Sequence, residues 1–293
     1  MEYIPCMGTG LIIIVAALLS GSGAAATASA AEFIEPATLA SFAPDSPAVR
    51  LTVAQVKLRL SAGTDEQPPD LSGVDLSGLE LAGVDFKRAN LTRARLSGTK
   101  LAGANLFTCD LTDAVMAEAD LTNANLDGTV LRRADLQRAK LTGASLFATI
   151  IESANLSGAD LSGTRIIGYL RGAKLIGATL RNANIGADPG NQSMGVMRAT
   201  FVGADLSGAD LSGANLFKAD FSYANLSRAR LTGADMRNTE LIQTDLSGAD
   251  LTGANLKHAD ITGAIFTDIA GRNQIHGLDQ TRNREKAVFD ATD

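Results

Sequence analysis

The chain has 293 residues, no Trp, 4% aromatic residues and 29 Gly, yet 45% of it is apolar. Leu and Ala supply most of that share, which excludes an ordinary core built on large side chains and suits a narrow interior repeated many times. The formal charge of −6 excludes the basic footprint of a nucleic-acid-binding domain.

The first 30 residues read as a signal peptide. Leu11–Leu19 is an apolar run, too short to span a bilayer as a helix, and Ala28-Ser29-Ala30 supplies the small-x-small pattern of a cleavage site. No Lys or Arg precedes Arg50, so the usual basic n-region is missing. Cleavage is expected to leave a periplasmic or secreted protein with no transmembrane span. Cys6 would leave with the leader. Cys109 then has no disulfide partner and reads as a small buried residue.

Residues 31–69 form a Pro-containing linker and an N-terminal cap. Thr52-Val53-Ala54-Gln55 has the pattern of a capping box, Val53, Val56 and Leu60 share one helical face, and Gly63 ends the helix.

From Leu71 an apolar residue recurs every fifth position. A first block runs to Ile166, a second covers Leu170, Leu175, Leu180 and Ile185, and a third runs from Val196 through Phe201 to Phe266, making 39 pentads. Two residues before most centres sits Ala or another small residue, usually Asp or Asn just before the centre, and often Ser or Thr and then Gly after it. A period of five matches neither helix nor simple strand. It fits a short extended step, whose two apolar positions point the same way, followed by a corner where Gly accommodates positive φ.

Ala209-Asp210-Leu211-Ser212-Gly213-Ala214-Asn215-Leu216 resembles the defining motif of the pentapeptide-repeat family. That resemblance covers about two-thirds of the chain. It implies an all-β solenoid, a right-handed quadrilateral β-helix with 20 residues per coil. Residues 70–266 would then make about ten coils, roughly 45–50 Å long at the usual strand spacing, with short helical caps at both ends.

The phase slips twice, within Arg165–Leu170 and again across Gly186–Gly195, whose Pro and Gly predict a short loop. Beyond Phe266, residues 267–293 form a C-terminal cap with a short helix expected within Asp279–Phe289. Stacking by 20 places Glu80, Lys100, Asp120, Lys140 and Asp160 in one column of alternating charge, a structural ladder. Asp220, Glu240 and Asp260 form a column with no base between them, where like charges on neighbouring rungs are unfavourable.

No catalytic, phosphate-binding or metal-binding spacing is present, and neither His258 nor His276 sits in one. The protein is therefore expected to be no enzyme, to carry no cofactor or metal, and to act as an exported scaffold whose faces bind another protein. Candidate partner-binding residues are Asp220, Glu240 and Asp260 in the acidic column and Asp188, Asn191 and Gln192 in the loop. Direct nucleic-acid binding is not expected; the sequence leaves the oligomeric state open, a homodimer being one option. The alternative comes from the resemblance: family members that protect DNA gyrase from quinolones imply an acidic, dimeric DNA mimic. From Asp70 to Phe266, however, acids and bases nearly balance, at about −2.

Overall fold

The computed structural model describes residues 48–64, 66–187 and 197–290, all within one compact unit, Pro47–Asp293. The expected leader at 1–30, the linker up to residue 47, Val196, and the loop residues Asp188, Asn191 and Gln192 lie outside the described residues.

A pentad with Asp or Asn before its centre places its five backbone N–H groups as follows. In the step around Leu91, Asn90 N–H donates down to the Pro69 carbonyl (2.9 Å) and Leu91 N–H donates up to Asp110 (2.7 Å). Arg93 N–H donates up to Thr112 (2.9 Å), and Ala94 N–H closes the corner on the Leu91 carbonyl (3.0 Å). The fifth group, Thr92 N–H, has no backbone partner and donates to Asn90 Oδ1 (3.1 Å). Buried or half-buried backbone groups must find partners, and an Asx side chain two residues back supplies one. This explains the recurrent Asp or Asn before each centre. Ser77 on Asp75, Thr122 on Asp120, Ser212 on Asp210 and Thr252 on Asp250 repeat the bond.

The coils pair in parallel. Asp70 bridges to Asn90, Asn90 to Asp110 and Asp110 to Val130, each 20 positions on, so four pentads make one turn and the unit has four faces. We number the faces from the column Leu71–Leu91–Leu111. The second starts at Leu76, the third at Leu81 and the fourth at Phe86. All of these centres are fully buried, as are Ala residues two positions before them, such as Ala89, Ala94 and Ala104. Each enclosed Leu contributes roughly 1.5–3 kcal/mol of apolar burial.

Thr in a small-residue position needs a hydroxyl partner, since an unsatisfied buried hydroxyl is costly. Thr99, Thr129, Thr149 and Thr244 donate to the carbonyls of Leu76, Leu106, Leu126 and Phe221 one coil earlier, at 2.8–3.1 Å. Cys109 fills the same kind of position. It is buried, and burial pushes its thiol up to about 12.

Both phase slips occur between the fourth face and the first. The first lies where the corner flattens into strands β1 (Ser145–Ile150) and β2 (Arg165–Tyr169), which pair in parallel. Ser145 matches Arg165, 20 positions on, but Ile150 matches Tyr169, 19 on. At the second, Tyr169 bridges to Thr200, 31 positions on, 11 more than a regular coil. Asn184 still pairs with Asn215 and Ala187 N–H with the Phe217 carbonyl (2.8 Å). Phe201 then occupies the rung above Leu170, and its ring stacks on Phe221 (centroids 4.7 Å, 11°).

The N-terminal end matches the sequence reading. Helix α1 (Val53–Ala62) starts on a capping box in which Gln55 N–H donates to Thr52 Oγ1 (3.3 Å) and Thr52 N–H to Gln55 Oε1 (2.8 Å). Val56 and Leu60 are buried in the same core as Leu71. Gly63 ends the helix in an extended conformation. Thr52→Ala should destabilise the helix by about 1 kcal/mol, read as a lower urea midpoint with an unchanged slope.

The C-terminal end does not. In place of a helix within Asp279–Phe289, the chain makes one more coil in steps of six. Asp250 bridges to Ala270, Asn255 to His276 and Asp260 to Arg282, 20, 21 and 22 positions on. Single 3-10 turns (Arg272–Gln274, Leu278–Gln280, Arg284–Lys286) form its corners. It closes as β4 (Val288–Phe289) pairing with β3 (Ile265–Phe266). Ile269, Ile275 and Ala287, six apart or a multiple of it, pack against the core. The added residue per corner allows three-residue turns and makes the last coil longer than those beneath it. Phe289 stacks on Phe266 at 5.2 Å, with the Arg272 and Arg284 guanidiniums over its ring.

Candidate interaction edge

The alternating column on the third face is in register, Glu80 with Lys100, Asp120 and onward. Beside it, ion pairs stand at corners: Arg133 on Asp113 (2.7 Å), Arg138 on Glu118 (2.6 Å) and Arg132 on Glu152 (3.1 Å). These exposed pairs are worth about 0–1 kcal/mol each.

The acidic column Asp220–Glu240–Asp260 is also in register, and its carboxylates are engaged within the chain. Asp220 and Asp260 each spend one oxygen on a backbone N–H, of Ser222 (3.0 Å) and Thr262 (3.1 Å). Arg198, on the strand returning from the insertion, bonds Glu240 (2.6 Å) and reaches Asp220 (3.4 Å). Asn283 donates to Asp260, and Arg282 lies 3.9 Å from it. Like charges on adjacent rungs are thus covered by Arg198 from outside the column and by Arg282 on its last rung.

The same accounting governs the titration of these aspartates. Burial works against the Asp210 carboxylate, but hydrogen bonds from Ser212 and Arg181 outweigh it and hold its pKa at about 2. Burial is likewise outweighed at Asp75, Asp160 and Asp260; at Asp120 and Asp250 the Thr hydroxyl bond is the largest influence, and all lie below the ordinary 3.8. Because the folded pKa is depressed, this stability is present above about pH 4 and is lost as pH falls through about 2. The thermal midpoint should be level above about pH 5 and decline steeply between about pH 4 and 2.

The four edges of the solenoid differ in what occupies their left-handed corner position. Between the third and fourth faces it is Gly83, Gly103, Asn123, Gly143, Gly163, Asn182, Gly213, Gly233 and Gly253. Between the fourth face and the first it is Arg88 (φ 61°), Thr108, Gly128, Ala148, Lys218 (φ 61°), Asn238 (φ 57°) and His258 (φ 63°). A non-glycine residue held left-handed costs roughly 1–2 kcal/mol, somewhat less for Asn. Side chains are therefore kept along this fourth edge at an energetic cost that the third edge avoids.

The residues preceding them on the fourth edge include Lys87, Phe107, Phe147, Phe217, Arg237 and Lys257. Phe107 is 48% exposed. Arg165 lies over Phe147 (4.4 Å), and Lys218 and Arg237 flank Phe217 (5.3 and 5.6 Å). Both irregularities of the chain also fall here. Two hollows open on this edge. One of about 450 Å³ is lined by Thr64, Lys87, Arg88 and Phe107 among others. The other, of about 650 Å³, is lined by Arg198, Lys218, Asn238, Glu240, His258 and Arg282.

Sequence reasoning found the acidic column but missed Arg198, Arg282 and the fourth edge. The edge had a sequence signal: sorting the corner residues by every fourth pentad leaves only Gly and Asn on the third edge and mostly other side chains on the fourth. Among the described residues no group of His, Cys, Asp or Glu could hold a metal ion, and no helix is long and apolar enough to cross a membrane.

No match is found among curated proteins. Solved structures similar to the chain include HetL, involved in heterocyst differentiation regulation in Nostoc sp. strain PCC 7120, at 30% identity over 77% of this chain and 100% of that one (TM-score 0.32). A pentapeptide repeat protein of the Arabidopsis thaliana thylakoid lumen is 36% identical over 35% of this chain and 75% of that one (TM-score 0.32). QnrB1, a plasmid-mediated fluoroquinolone resistance protein, is 18% identical over 74% of this chain and 94% of that one (TM-score 0.34). The family profile described as pentapeptide repeats matches eight copies, at residues 70–106, 109–146, 197–233 and 229–268. Matched on both sides of the insertion, and laddered in fives over the same residues, the chain belongs to the pentapeptide repeat family, whose members form right-handed quadrilateral β-helices.

Proposed function

We propose that the protein is an exported, non-enzymatic scaffold that binds another protein along its fourth edge. The observation that carries this reading is that Arg88, Lys218 and His258 are kept at left-handed corners on that edge, where the third edge uses Gly or Asn, with Phe107, Phe147 and Phe217 at the positions just before the corner residues. Strain kept in a row of exposed positions is a reason to look for function there. Export rests on the apolar run Leu11–Leu19 and on Ala28-Ser29-Ala30. A mature protein beginning near Ala31 in the periplasmic or secreted fraction supports it; an intact N-terminus in the cytoplasm removes it.

The binding claim is tested by affinity capture from that compartment. The bait is the immobilised chain, beside a variant carrying Arg88→Gly, Lys218→Gly and His258→Gly. Equal recovery on both baits would remove the edge from the reading. Arginines lying over Asp220, Glu240 and Asp260 weigh for a scaffold and against DNA mimicry, which needs an open acidic face. Inhibition of gyrase supercoiling by the purified chain would reverse that preference.

A further inference from the structure

We propose that the hollow in the C-terminal half of the fourth edge binds an acidic, extended segment of a partner polypeptide; this rests on the scaffold reading and names the chemistry of its partner. The hollow holds about 650 Å³, room for several side chains rather than one ion. Lys218, Asn238 and His258 occupy the same corner position on three successive rungs, so their polar ends form a row. Among the described residues the Lys218 ammonium has no ion pair, and the Asn238 amide and the His258 imidazole have no hydrogen-bond partner.

Arg198 stands beside the rungs of Asp220 and Glu240. Arg282 stands beside that of Asp260, with its Nε donating to the His258 carbonyl (3.3 Å). The one carboxylate lining the hollow, Glu240, is engaged by Arg198 through both oxygens (2.6 and 3.2 Å). What remains toward solvent is a row of donors with a cationic balance, on a chain whose net charge is −6.

Complementary charge selects an anionic occupant and steers its approach. A carboxylate-bearing peptide fits better than a nucleic acid. Its charges are spaced along a neutral backbone and can pass between Asp220, Glu240 and Asp260, whereas an unbroken run of phosphates would meet all three. The ring of Phe217, with Lys218 over it at 5.3 Å, offers an apolar contact beside the charged row.

The probe is a fluorescein-labelled peptide of alternating Glu and Gly, titrated into the full-length protein and followed by anisotropy. Saturable binding is expected, weakened at least tenfold by Lys218→Glu and by raised salt, and absent for the same peptide with Gln in place of Glu. The double variant Lys218→Gly/His258→Gly should bind as weakly as Lys218→Glu while its thermal midpoint rises, because left-handed strain is relieved. That separates loss of the site from loss of the fold. No binding of the Glu peptide, equal binding of the Gln peptide, indifference to Lys218→Glu, or tighter binding of a single-stranded oligonucleotide would each overturn the proposal. A partner captured equally well by the Lys218→Glu chain would leave the scaffold reading standing and remove this one. Peptide binding at this row with no protein captured would do the reverse.

Discussion

Phe221→Ala is expected to destabilise the protein by about 3–5 kcal/mol, the range for removing a fully buried aromatic ring. Phe221 is inaccessible to solvent and stacks on Phe201, the first centre after the insertion. Its carbonyl also accepts the Thr244 hydroxyl from the next coil (2.8 Å). The neighbouring centres Phe201, Leu226 and Leu241 are themselves fully buried on a hydrogen-bonded backbone, so little nearby can move into the gap. In a solenoid each coil contacts mainly its neighbours, and stability sums over coils and their interfaces. The loss should therefore concentrate at one level. Hydrogen exchange should quicken around Phe201–Leu241 while the coils near Leu101 stay protected. Uniform loosening along the whole unit would contradict this nearest-neighbour picture.

Gly271→Ala should open the last coil. Gly271 has φ 74°, where an alanine costs roughly 1–2 kcal/mol, and its new Cβ would run into the Thr252 backbone, 2.6 Å from the nitrogen. Gly277→Ala meets the same obstacles, with φ 70° and the Lys257 Cα at 2.9 Å. Backbone atoms cannot swing aside as a side-chain tip can. Release of this coil uncovers Phe266 and the upper edge of the ladder, and unpaired edges recruit other chains. The expected result is fast exchange in residues 270–290, increased dye binding to apolar surface, and aggregation at concentrations where the parent stays in solution. Lys257→Ala is a useful contrast, since its exposed side chain leaves the backbone path unaltered.

Much of the ladder was legible from the sequence because one residue type does one job there. A Leu every fifth position has to go inside, and its period dictates where the corners fall. The capping box at Thr52–Gln55 was equally readable, being local. The final coil was not, because its period changes to six. Ile269, Ile275 and Ala287 continue the inward series, but only once the added residue at each corner is allowed for. The acidic column misled for a different reason. Stacking by 20 places Asp220, Glu240 and Asp260 together correctly. It does not show that Arg198 arrives from outside the period to cover them. Contacts made by residues within the repeat follow from arithmetic; contacts made by an insertion do not.

The fifth N–H of the pentads with Asp or Asn before their centre has a consequence for the protein's charge. Its acceptor is a single side-chain oxygen, and Asn offers the same oxygen as Asp: Thr92 is held by Asn90 just as Thr252 is by Asp250. Where no arginine leans on the second carboxylate oxygen, as at Asp135, Asp205 and Asp245, the backbone is indifferent to which of the two is present. Exchanging those three for Asn lifts the net charge from −6 to −3 with each turn still closed. At such rungs the isoelectric point can drift with the turn hydrogen bond kept. An acidic or neutral version of the same coil is one base change per rung away.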